Sequence, residues 1–201
     1  MKTKTKALIL SLCAILLVVT SVFGTMAYLT SQADVSNTFS VGKVNITMDE
    51  TDVDNSTSGA SRDTSNAYLL MPGSTYPKDP IVHVRADSES CYIFVKVENG
   101  IAAFEAATVA DGYTNIAGQI SANGWTPLDG VANVYYKEYV KGQEVTDLTV
   151  FTELKIADNA NDTSGWDQID SKTINVTAYA VQHASFDTAE EAWAETFGKG
   201  N

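Results

Sequence analysis

Four runs in the chain, SCYIFVKVEN, VANVYYKEYV, LTVFTELKIA and KTINVTAYAVQ, are built from β-branched and aromatic residues, and turn-rich segments separate them. Side chains alternate between the two faces of a strand, and branched or aromatic residues suit a pleated surface better than a helix. In the first run Cys91, Ile93, Val95 and Val97 share one face. The segments KGQEVTD and DNANDTSGWDQID supply the Gly, Asn and Asp of loops, at roughly the spacing of an antiparallel β-sandwich.

Upstream, residues 28–48 also alternate. Val44, Ile46 and Met48 fall on one side and Lys43, Asn45, Thr47 and Asp49 on the other, whereas Phe39 and Val41 follow the opposite phase, with Gly42 at the slip as at a bulge. Residues 49–66 are acids, Ser, Thr and Asn with a single Val, which predicts a solvated loop. Three prolines at 72, 77 and 80 predict turns delivering the chain into a strand over residues 81–85. Residues 100–121 fit a short helix or irregular strands around Gly112 and Gly118. At the C-terminus, Asp187 followed three residues later by Glu190 has capping-box spacing, and Ala189, Ala192, Trp193, Thr196 and Phe197 lie near one face before Gly198. One amphipathic helix is therefore expected to cap an otherwise antiparallel β-sandwich.

The first 27 residues follow different rules. Lys2, Lys4 and Lys6 precede an uncharged apolar run over residues 7–23, the pattern of a secretory signal peptide. Gly24 breaks the helix, and Thr25 and Ala27 are the small residues a signal peptidase requires, so cleavage is expected between Ala27 and Tyr28. An uncleaved anchor is the alternative, because the run comes close to spanning a thinned bilayer. Cys13 follows Leu12 and precedes most of the apolar run, which does not suit lipoprotein processing.

Cleavage there leaves 174 of the 201 residues, enough for one domain with a hydrophobic core. It also removes three of 13 basic side chains and none of the 25 acidic ones, so the mature chain carries a net charge of −15. That charge opposes nucleic-acid binding and makes subunits repel one another until salt screens them. Cys91 is the one thiol of the mature chain, so no internal disulfide is expected, and its apolar run points to a buried, inert group.

Catalytic constellations are not apparent. His83 and His183 belong to no H-E-x-x-H helix and read as strand-edge histidines rather than a zinc pair. The acids of DETDVDN and DNANDTSGWD depart from the calcium-loop spacing, which leaves weak Ca²⁺ binding as the one cofactor they suggest. Tyr135, Tyr136 and Tyr139 suit either a ligand-binding face or a strand that is half core and half surface. Asn45, Asn55, Asn161 and Asn175 stand in N-x-[ST], which matters only in a host that glycosylates them.

The segments GTMAYLTSQADVSNTFSVGKVNIT, MPGSTYPKDPIVHV, CYIFVKVEN and INVTAYAVQHASFDTAEEAWAETFG together resemble the exported family that includes the TasA matrix-fibre protein and camelysin. The resemblance covers both ends and the first half of the mature chain, but not residues 100–165. It implies a SipW-type signal peptidase as processing partner and a jelly-roll-like β-sandwich outside a Gram-positive-type cell. It further implies a structural subunit of biofilm matrix or surface fibres, associating with itself or a sister subunit and meeting the membrane only through its signal peptide. A monomeric surface binding module and a camelysin-type metallopeptidase are the alternatives; the latter finds no zinc motif here.

In that light residues 28–41 acquire a role. Tyr28, Thr30, Gln32 and Asp34 would point one way and Leu29, Ser31, Ala33 and Val35 the other, with Phe39 and Val41 following and no turn residue before Gly42. A free, mildly amphipathic segment of this kind can donate a strand to the open sheet edge of another subunit. The same residues would otherwise form the first strand of their own domain or a disordered tail.

Overall fold

The computed structural model describes residues 43–107, 112–144 and 146–198, together with Lys6, Leu12, Cys13 and Ile15, which are helical. The chain divides into Met1–Ser40 and Val41–Asn201, and the architecture below concerns the second unit. Among the described residues no helix is long and apolar enough to cross a membrane.

The protein is mainly β, and its sheets are antiparallel. In the first sheet, β1 (Ile46–Thr51) lies between β2 (Arg62–Asp63) and β4 (Ile81–Val84), and β8 (Asp147–Thr149) pairs with β4 on the far side. The second sheet has the order β10 (Ile174–Gln182), β5 (Cys91–Asn99), β7 (Val134–Tyr139) and β6 (Thr126–Pro127). A small third sheet joins β3 (Thr75–Pro77) to β9 (Glu153–Lys155). Helix α1 spans Ile116–Ala122, with Asn115 as N-cap accepting from the Gly118 N–H, and helix α2 spans Ala189–Thr196.

Strand β5 organises the interior. Its odd residues Cys91, Ile93, Val95 and Val97 enter one apolar cluster with Val82 and Val84 of β4, Leu148 of β8 and Phe151. Its even residues Tyr92 and Phe94 enter a second cluster with Val134, Ala189 and Ala192. A strand covered on both faces is nearly continuous in apolar residues, which is why this run is the densest in the chain. Helix α2 closes the second cluster, with Trp193 5.2 Å from Phe94 and 5.3 Å from Tyr179, ring centre to ring centre.

Several expectations need correction. LTVFTELKIA is not one strand: β8 and β9 belong to different sheets, and Val150 and Phe151 are fully buried at the corner between them. The solvated loop at 49–66 contains the end of β1 and the hairpin partner β2, with Glu50 opposite Asp63. The loop 158–170 holds two 3-10 turns, Ala160–Asp162 and Trp166–Ser171. Helix α2 is capped one residue later than expected: the Thr188 side chain accepts from the Glu191 N–H, and Glu191 Oε2 accepts from the Asp187 N–H. Within α2, Thr196 is exposed. The ambiguous middle segment contains the short helix α1.

Candidate functional site

A sheet edge is a row of unpaired N–H and C=O groups, and proteins blunt such edges with short strands, charges or proline. Edge strands β2, Arg62–Asp63, and β8, Asp147–Thr149, are short and charged, and β6, Thr126–Pro127, contains proline. Strand β10 has none of these defences. It runs nine residues, INVTAYAVQ, without a charge, proline or glycine. Its register with β5 is unbroken from Ile174 opposite Asn99 to Gln182 opposite Cys91, and among the described residues no strand pairs with its other side. Strand β1 is similarly open along Ile46 to Asp49, because β2 reaches only Glu50 and Thr51.

A groove of about 700 Å³ is lined by Met48, Asp49 and Glu50 of β1 and by residues 174–177 of β10. Ile101, Leu154 and Ile169 make its apolar part. At its polar end Glu50 and Lys78 are 7% and 9% exposed, with Lys78 Nζ 2.7 Å from Glu50 Oε2. Asn66 Nδ2 donates to Glu50 Oε1 at 3.1 Å, and Lys78 Nζ lies over the Tyr68 ring, 5.4 Å from its centre. Burial foremost, and then the surrounding carboxylates, push the Tyr68 hydroxyl far up in pKa, so it stays protonated.

Beside the groove, charges alternate across the first sheet. Arg62 pairs with Asp49 and, at 2.9 Å, with Asp79. His83 Nδ1 lies 2.8 Å from Asp147 Oδ1, and its buried Nε2 is 3.1 Å from Asp49 Oδ2, out of hydrogen-bonding alignment. Burial opposes charging of His83, but Asp147 and Asp49 outweigh it and raise its pKa. Burial likewise opposes ionisation of Asp49 and Asp79, yet Arg62 and their other hydrogen-bond donors hold both below the usual carboxylate range. His83 is thus on an interior strand, not at an edge as expected, because β4 pairs on both sides.

The other candidates disperse. His183 follows β10 and stacks on Tyr92 at 4.7 Å. Tyr135 and Tyr139 pack toward the main cluster and Tyr136 toward the second, so the three share no ligand-binding face. Cys91 is fully buried, and burial pushes its thiol up to about 11. Asp52, Asp54 and Asp63 come within reach of one another; their oxygens accept from Ser56, Thr57, Ser65 and Ala67 N–H groups. Ala27, and the donor-strand residues Tyr28, Leu29, Ala33, Val35, Phe39 and Val41, lie outside the described residues.

No family model, no curated protein and no solved structure matches this chain. Sequence reasoning missed the Glu50, Lys78 and Asn66 constellation. Its signal was the phase of β1: Val44, Ile46 and Met48 face inward, so Glu50 continues the inward row with a charge.

Proposed function

We propose that this chain is an exported structural subunit of an extracellular fibre, in which residues 28–41 of one copy, freed by cleavage after Ala27, add a strand to the β10 edge of the next. The carrying observation is the uncharged, nine-residue β10 edge beside an open groove, whereas the edge strands β2, β6 and β8 are short and carry charge or proline. Backbone hydrogen bonds along β10 supply affinity in such an addition, and alternate donor side chains entering the groove set the register. Donor and acceptor surfaces differ, so the contact is head to tail and propagates as a filament rather than closing as a dimer. A jelly-roll arrangement of the two sheets and processing by a SipW-type peptidase belong to the same reading, as does the likeness to TasA.

A synthetic peptide of residues 28–41, in excess over the mature protein, tests the edge directly. It should cap β10 and shorten or abolish fibres seen by negative-stain microscopy. A scrambled peptide should leave them unchanged, and equal inhibition by both peptides would contradict a sequence-specific edge.

A further inference from the structure

The polar end of the groove contains chemistry that strand addition does not use. Glu50 presents one carboxylate oxygen to an amine and the other to a carboxamide: Oε2 is 2.7 Å from Lys78 Nζ, and Oε1 is 3.1 Å from Asn66 Nδ2. The Asn66 carbonyl oxygen accepts from the Val53 N–H at 2.7 Å. Asn66 Nδ2 is also held by Thr51 O at 2.9 Å and Asp63 Oδ1 at 3.2 Å. A buried ion pair is weak evidence of stabilisation, since desolvating both charges offsets their attraction. Packing alone therefore gives little reason to bury Lys78 and Glu50 together.

We propose that Lys78 and Asn66 become joined by an intramolecular isopeptide bond, with Glu50 as the proton carrier. With the shared proton on Glu50, the free amine of Lys78 adds to Asn66 Cγ, and the Nζ–Cγ bond forms. Negative charge develops on Oδ1, where the Val53 N–H already donates, as an oxyanion requires. Glu50 gives its proton to Nδ2 and takes one from Nζ; the Cγ–Nδ2 bond then breaks and ammonia leaves. One amine and one carboxamide become a secondary amide and ammonia, with Glu50 ending as it began and no oxidant or activated co-reactant needed. Holding both partners on one carboxylate removes most of the entropic cost of their meeting. Tyr68, over the Lys78 amine, limits competition by water, and the groove offers ammonia a way out.

The bond would tie the segment after β2 to the residue after β3, whose own N–H is bonded to Thr152 O at 3.2 Å. This inference is independent of the fibre reading, because it concerns a single folded chain.

Mass spectrometry of the folded mature protein tests it. The intact mass should fall short of the sequence mass by one ammonia. After denaturation trypsin should fail to cut at Lys78, and chymotryptic cleavage between Asn66 and Lys78 should leave the two pieces joined. E50Q and K78R should each show the full sequence mass and normal cleavage at position 78 where trypsin still recognises it. If either variant fails to fold, the wild-type map alone decides. A wild-type chain at full sequence mass, or cut at Lys78, would overturn the proposal. So would an ammonia loss mapping to Asn99–Gly100 or Asn123–Gly124, where backbone succinimide formation has the same mass signature.

Discussion

His83 Nδ1 lies 2.8 Å from Asp147 Oδ1, so strands β4 and β8 are linked across the first sheet by a histidine, a side chain whose charge responds to pH. The folded pKa of His83 is raised, so its contribution is fully present below the unfolded value of about 6.5 and is lost as pH rises through the higher folded value. The stability difference between wild type and H83Q should therefore shrink as pH rises from about 5.5 to 8.5. Urea denaturation of both proteins across that range measures it. A difference that grows with pH would contradict the assignment. Asp147 is two-thirds exposed, so screening keeps the effect modest.

Acid should act through different groups. Asp49 and Asp79 have lowered folded values, so their contribution is present above about pH 4 and disappears as pH falls through those values. D79N, which keeps a hydrogen-bonding shape but loses the charge facing Arg62, should flatten the acid limb of the stability curve. Circular dichroism during acid titration reads this; an unchanged acid limb would remove Asp79 from the account.

Helix α2 should be worth more through its aromatic face than through its cap. Trp193 packs against Phe94, Tyr179 and Phe197, and W193A should cost about 3 kcal/mol, in the range of large-to-small aromatic truncations. Thr188 caps the helix through one hydrogen bond, and T188A should cost about 1 kcal/mol. Chemical denaturation of the two variants orders them, and a larger loss for T188A would show that the second cluster is not a true core.

Secreted protein should begin at Tyr28, as the small residues Thr25 and Ala27 require. N-terminal sequencing of culture supernatant gives the answer, and a product retaining residues 7–23 would support an anchor instead.

The strands were readable where one physical rule governed them. Residues 91–99 and 174–182 needed only alternation and branching, and both form unbroken strands. Residues 147–155 obeyed the same local rule but are divided between two sheets, because the burial of Val150 and Phe151 at a corner is a tertiary demand that periodicity does not encode. Residues 49–66 looked like loop because their order comes from charge: Arg62, Asp49 and Asp79 pin a hairpin that hydrophobic pattern cannot reveal. The openness of β10 was equally hidden, since whether a strand lies at an edge depends on which partners the rest of the chain provides.

Deleting residues 28–36 tests strand donation most directly. The account expects a shortened mature protein that keeps the circular dichroism and denaturation midpoint of the full one, remains monomeric by light scattering, and forms no fibres under negative stain. The full mature protein should polymerise, more readily as salt screens its net charge of −15. Fibres of normal appearance from the deletion protein, or a deletion that lowers stability because residues 28–36 complete their own domain, would contradict it.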